Sequence, residues 1–352
     1  MISSNTLKND TERVFEADDI VQVLALDGGG LKGLYSASVI KALEEQLGHS
    51  ICDHFDVITG TSTGGLIALA LSQGKSGKEI QRFYLENGHL IFPSGGLMGK
   101  LRSFGSLFHV KYSNRVLEET VKSLLEQQDG EQPILGQSNK RLVIPSFLAG
   151  VSLPRLLKTP HAARYKSDWK MPMWAVGLAT SAAPTYLPSF RYEGKTYLDG
   201  GIWANNPSLI GVIEALDLGA DIKNIRVLNI GTTYSNSESV YWYPLSKLLK
   251  SIKLHRSGLI SWAKQILPTV MDANSYATSS MYVHQLLAKG HSFVINKQVN
   301  NGDFGLDKID NEKFQEMGET DGLQNFSQIE DYFTHMAAKY EPNKEAMNNG
   351  CK

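Results

Sequence analysis

The chain has 352 residues, 42% of them hydrophobic and 20% charged, with 35 Lys and Arg against 36 Asp and Glu. That length and composition suit an ordinary globular α/β protein of one large or two smaller domains, and a formal charge of −1 gives no global pull toward DNA or RNA. Cys52 and Cys351 are the only cysteines, which excludes a disulfide framework and makes a reducing, cytoplasmic setting the expectation.

Residues 1–20 form a polar lead without the apolar run of a signal peptide. No apolar stretch approaches the roughly 20 residues that would span a bilayer. Val21 to Leu26 is then a mostly apolar run ending at Asp27-Gly28-Gly29-Gly30, the pattern of a buried strand feeding a tight loop. Leu34 to Leu47 carries Val39, Ile40, Leu43 and Leu47 at helical spacing, and Gly48 is placed to stop it. Phe55 to Thr59 reads as a second short strand, and Gly65 to Leu71 as the apolar start of a helix. Between them lies Gly60-Thr61-Ser62-Thr63-Gly64. Ser76-Gly77-Lys78-Glu79 is a capping box that opens a further helix through about Leu85. Ser113 to Gln127 has one apolar face, and Leu142 to Ala149 and Ile225 to Ile230 read as buried strands. This alternation predicts a largely parallel central sheet with helices on both faces.

Three segments break the rhythm: residues 87–117, 132–167 and 239–271. None contains an acid, and together they hold 15 of the 35 Lys and Arg. They are the added basic helical and loop segments of the predicted fold. The domain limits expected are a single catalytic domain over 21–330, after the lead and before a tail at 331–352. Inside it lie a candidate lid at 87–117 and a basic insertion at 232–300.

A serine between two glycines at a strand-to-helix turn is held on a sharp bend with its hydroxyl exposed. The helix N-terminus then faces any negative charge forming there. Ser62 is therefore a candidate nucleophile, with Gly60 and Gly64 shaping the bend. Gly28-Gly29-Gly30-Leu31-Lys32-Gly33 satisfies the G-x-G-x-x-G dinucleotide pattern, yet its amides would equally receive an oxyanion. No acidic residue closes a second strand about 20 residues on, as a dinucleotide site requires. His255, His284 and His291 are downstream candidates for a Ser-His-Asp triad, although each reads as a helix or surface residue. Asp199, in Tyr197-Leu198-Asp199-Gly200-Gly201, could serve as base directly, or simply bond its own turn. No metal-ligand spacing stands out among nine histidines and two cysteines.

Asp27 to Gly33, then Gly60 to Gly65, then Asp199-Gly200-Gly201 resembles the patatin-like phospholipase family in content, order and spacing. Ala179-Thr180-Ser181-Ala182-Ala183-Pro184-Thr185 also looks like that family, and the resemblance covers roughly Val21 to Gly231. It implies a Ser62–Asp199 dyad and membrane phospholipid esters as substrates, with no cofactor. It also implies an oxyanion hole at Gly28, Gly29, Gly30 and Lys32, to which the Thr63 amide is a possible addition. The basic segments resemble those of bacterial antiphage effectors switched on by a cyclic dinucleotide, acting from the cytoplasm on the inner face of the membrane. Tyr165 and Trp169 beside Arg164 and Lys166, and Tyr241, Trp242 and Tyr243 before Lys247, are candidates for stacking on its bases. Lys247, Lys250, Lys253 and Arg256 instead suit an anionic lipid surface, as do Lys100 and Arg102 in the candidate lid. The competing readings are a constitutive esterase with a triad, and a nucleotide-binding protein using the glycine loop. A homo-oligomer is compatible with either.

Overall fold

The computed structural model describes residues 13–91, 114–127, 129–184, 186–235, 266–275, 281–299, 306 and 309–348. Among them are ten strands: β1 (Val21–Leu26), β2 (Val57–Gly60), β3 (Arg141–Leu148), β4 (Leu153–Lys158), β5 (Phe190–Tyr192), β6 (Lys195–Asp199), β7 (Ile225–Ile230), β8 (Tyr234–Ser235), β9 (Ser292–Ile295) and β10 (Gln298–Val299). The main sheet runs β5-β6-β3-β2-β1-β7-β9, with β4 also on β3.

Its centre is parallel, as the strand–helix alternation predicts: β1 pairs with β2 and β7, β2 with β3, and β7 with β9. The β3 side departs from that rhythm. β4 and β6 run antiparallel to β3, and β5 antiparallel to β6. Within residues 132–167, the strand read at Leu142 to Ala149 is present as β3, and β4 returns along it to make a hairpin that the sequence did not signal.

Period-two side-chain alternation divides the core between the two faces. Leu24, Leu26, Ile58, Leu142, Ile144, Leu228 and Ile230 join one cluster. There they meet residues of α1 (Gly33–Leu47), α2 (Thr63–Ser72), α3 (Gly77–Ile91), α4 (Asn114–Leu125) and α5 (Met173–Ser181). Val21, Val23, Ala25, Val57, Val143, Ile225 and Val227 face the other way, toward residues of α6 (Gly201–Ala204) and α7 (Ser208–Asp217). The Ser76 and Glu79 capping box forms at the start of α3, each side chain bonding the other residue's amide.

Four more helices follow: α8 (Ile266–Ser275), α9 (His284–Leu286), α10 (Asn311–Ile329) and α11 (Lys344–Asn348). α10 lies across α1, where Gly318 and Gly322 leave room for close approach and Tyr35 donates to Asp321 at 2.7 Å. Both flanks of the core are tied in. The Val14 and Phe15 amides donate to the Leu218 carbonyl. Beyond α10, the Ala338 amide and the His335 ring engage Asp56 at 2.7 and 2.8 Å. No helix among the described residues is long and apolar enough to cross a membrane.

Candidate active site

The site is assembled at β3. At Val143 this strand pairs with Thr59 of β2 and with Lys158 of β4; at Ser146 it pairs with Arg155 of β4 and with Asp199 of β6. A strand has two edges, so β2 and β6 occupy the same edge of β3, end to end. Because β2 runs parallel to β3 and β6 antiparallel, their C-terminal ends face each other. Gly60 closes one and Asp199 closes the other.

Ser62 sits just beyond that meeting point with φ 54° and ψ −121°, immediately before α2. A non-glycine residue held there costs about 1–3 kcal/mol, which surrounding bonds must offset. Here the Ser62 amide donates to Thr180 Oγ1 at 2.9 Å, and that hydroxyl donates to the Pro145 carbonyl at 2.6 Å. Gly64 and Gly60 are required by packing. A Cβ on Gly64 would run into the Leu26 carbonyl, and one on Gly60 into the Gly64 carbonyl. The sharp bend expected from the sequence is present, but the serine is buried on the floor of a cleft rather than exposed.

Ser62 Oγ donates to Asp199 Oδ2 at 2.7 Å. Asp199 Oδ1 accepts the Gly201 amide at 2.6 Å, an Asx-type bond within its own turn. The alternatives read from the sequence for Asp199, a turn aspartate or a partner of the serine, thus coexist on its two oxygens. Burial pushes the Asp199 carboxyl up to about 6, partly countered by the Gly201 amide and the Ser62 hydroxyl. The Gly200 amide donates to the Thr180 carbonyl, and a Cβ on Gly200 would strike the Pro145 carbonyl.

The first glycine loop lies against the serine. A Cβ on Gly28 would meet both the Asn205 side chain and the Ser62 Cβ. The Gly28 amide, however, donates to the Asn205 carbonyl at 3.0 Å. Gly28 therefore shapes the turn and has no amide left for an oxyanion. The Gly29 and Gly30 amides have no acceptor among the described residues, nor does that of Thr63 at the start of α2. Gly30 has φ +60°, and it lines the same cleft as Ser62 and Thr63. The Lys32 ammonium donates to the Thr233 carbonyl at 3.3 Å. Asp27, at the head of this loop, accepts from Asn229 at 2.7 Å, and burial pushes it up to about 7.

The cleft spans about 570 Å³, part of it open to solvent. Beyond the polar pair its wall is mostly apolar, with Leu66, Phe83, Leu117, Leu187 and Met271 beside the Thr63, Tyr84 and Ser181 hydroxyls. Met271 belongs to α8, which is fastened to the turn after Asp199: Asn274 accepts the Asn205 amide and donates to the Trp203 carbonyl.

No described histidine bonds Ser62 or Asp199. His284 is exposed, and His291 lies beside the Ile225 carbonyl at the start of β7, the opposite end of the sheet. His255 lies outside the described residues. So do residues 92–113 of the candidate lid, and Tyr241, Trp242, Tyr243, Lys247, Lys250, Lys253 and Arg256 of the basic insertion. Of the other aromatic–cation set, Arg164 pairs with Asp217 at 2.5 Å, and Tyr165 donates to Glu214 at 2.7 Å. Lys170 covers the Trp169 ring. Thr180 is the supporting residue that reading for nucleophile and base passes over; its signal is its place inside Ala179 to Thr185.

A family model described as Patatin-like phospholipase matches residues 24–211. A cGAMP-activated phospholipase of Escherichia coli (strain TW11681) is 33% identical over 282 residues, 76% of this chain and 76% of that protein. One of Vibrio cholerae is 30% identical over 75% of this chain and 77% of its own. Another, of Pseudomonas aeruginosa, is 36% identical over 60% and 62%.

Proposed function

The chain belongs to the patatin-like phospholipase family, and from that premise we propose that it hydrolyses membrane phospholipid esters with Ser62 as nucleophile and Asp199 as base. It is a lipid acyl hydrolase by family. The observation that carries the finer reading is the 2.7 Å bond from Ser62 Oγ to a buried Asp199 oxygen, facing an apolar cleft.

A serine hydroxyl attacks an ester only as a base removes its proton. Asp199 takes that proton while Oγ bonds to the carbonyl carbon. The developing oxyanion lies against the Gly29 and Gly30 amides, with Thr63 at the α2 N-terminus beside it. Each such donor is worth about 3 kcal/mol in the transition state. Collapse breaks the ester C–O bond, and the proton passes from Asp199 to the leaving alcohol. Asp199 then takes a proton from water, whose oxygen attacks the acyl-serine, and returns it to Ser62 Oγ as the fatty acid is freed. A carboxyl held near 6 suits both directions of transfer near neutral pH. The aliphatic and aromatic cleft wall takes the acyl chain.

The names of the three bacterial relatives support a second layer, that hydrolysis here is switched on by a cyclic dinucleotide; a membrane-degrading antiphage response on the cytoplasmic face is the role we propose for that switch.

A fluorescent phospholipid assay with and without cGAMP tests both layers. Hydrolysis that rises with cGAMP and vanishes in Ser62→Ala and Asp199→Ala is expected. Activity that survives Asp199→Ala would overturn the dyad. Hydrolysis indifferent to cyclic nucleotides would overturn the switch alone.

A further inference from the structure

Ser181 ends α5, and both of its neighbours brace the polar pair. Thr180 holds the Ser62 amide through its hydroxyl and the Gly200 amide through its carbonyl. The Ala182 carbonyl accepts the Asp199 amide at 3.0 Å. The Ser181 side chain takes no part in that bracing. It is 7% exposed, lines the same cleft as Ser62 and Asp199, and its buried Oγ has no hydrogen-bond partner among the described residues.

Helical serines and threonines ordinarily resolve burial by bonding the carbonyl four residues back. Ser38 and Thr120 of this chain do so, to Leu34 and Val116 at 2.7 and 2.6 Å. Ser181 does not. Elsewhere on the cleft wall, the Thr63 and Tyr84 hydroxyls bond each other, and Ser62 bonds Asp199. A hydroxyl kept dry and unpaired lowers stability, and alanine would fit this position as it does at Ala179, Ala182 and Ala183.

We propose that the Ser181 hydroxyl is a substrate-binding group that donates a hydrogen bond to an oxygen of the ester being cleaved. This rests on the acyl-hydrolase reading above. Ser181 lines the cleft with Ser62 and Asp199 and follows Thr180, whose hydroxyl holds the Ser62 amide; a χ1 rotation would turn its buried Oγ toward an ester bound at that end. The lipid ester brings oxygen acceptors into a mostly apolar wall, and Ser181 offers the matching donor. The effect therefore belongs to the ester group and appears on one-chain and two-chain substrates alike.

The test, run with cGAMP present, compares wild type, Ser181→Ala, Ser181→Cys and Ser62→Ala on a diacyl phospholipid and on a p-nitrophenyl acyl ester, with a melting curve for each. For Ser181→Ala, kcat/KM should fall roughly ten- to hundredfold on both substrates. Its Tm should stay level or rise, because an unpaired buried group is removed. Ser181→Cys, with a weak S–H donor of similar size, should fall between. Ser181→Ala activity within twofold of wild type would overturn the proposal, as would a loss accompanied by a fall in Tm. A loss confined to the diacyl lipid would also overturn it, since the contact would then lie outside the scissile ester. A wild type inert toward both substrates defeats the hydrolase reading and this one with it. An active wild type and an inactive Ser62→Ala leave the Ser181 result to stand alone.

Discussion

Ser62 Oγ and Asp199 Oδ2 stand 2.7 Å apart across 137 residues of sequence. They meet because β2 and β6 approach each other head-on along one edge of β3. The carboxylate has no imidazole between it and the hydroxyl, which supports the proposed role of Asp199 as the base.

Asp199→Asn should separate chemistry from stability. An amide can still accept from Gly201 and donate to Ser62, so the turn survives while the base is lost. Phospholipid hydrolysis should fall at least about a hundredfold. The folded carboxyl titrates near 6, against about 3.9 in an unfolded chain. The folded state therefore binds more protons between those values, and wild-type stability falls as pH rises from about 4 to 6. Asparagine carries no such penalty. The Tm advantage of the variant should be largest above pH 6 and shrink toward pH 4, which scanning calorimetry at several pH values would read.

On the proposed dyad, the same carboxyl sets the pH dependence of turnover. As base it must be ionised, so kcat/KM should drop about tenfold per pH unit below about 6 and level off above it. A profile on a soluble ester, where membrane charge plays no part, measures this. A limb set by a histidine would vanish on substituting that histidine.

His284→Ala and His291→Ala should keep activity within about twofold. One side chain is exposed and the other sits at the far end of the sheet. Loss of hydrolysis with an unchanged Tm in either variant would restore the triad reading.

Thr180→Val removes the acceptor that holds the Ser62 amide and the donor to the Pro145 carbonyl. The strained backbone at Ser62 then loses a brace, and an angular error at a nucleophile is costly. A tenfold or greater fall in kcat with a modest rise in KM is expected. Steady-state kinetics beside labelling by an organophosphonate would show whether acylation is the step affected.

Gly64→Ala should fail at the level of folding. Its Cβ would strike backbone at Leu26, which cannot swing aside as a flexible side chain can. Destabilisation of about 3 kcal/mol or more follows, read by chemical denaturation. Gly48→Ala meets no neighbour and strains only a left-handed φ of +77°, so it should lose about 1 kcal/mol.

Local pattern made the central strands, the helix after Ser62 and the capping box at Ser76 legible, because each depends on residues within a few positions of one another. The glycine loop was legible as an anion-receiving backbone. Its division of labour was not: Gly28 spends its amide on Asn205, 177 residues away. The antiparallel strands of residues 153–158 and 190–199 were obscure for a related reason. Their pairing is set by a shared partner strand rather than by their own periodicity.

The sequence by itself determined the chemistry on offer: a serine on a glycine-framed bend, amide-rich glycines, and an aspartate before two more glycines. Those are properties of short stretches, governed by sterics and turn preference. Only the tertiary structure decided that Asp199 gives one oxygen to its own turn and the other to Ser62. Only it decided, too, that burial lifts that carboxyl to about 6 and that Ser181 lines the cleft with its hydroxyl buried and unpaired among the described residues. Distance, desolvation and the absence of a partner are set by packing among residues far apart in the chain.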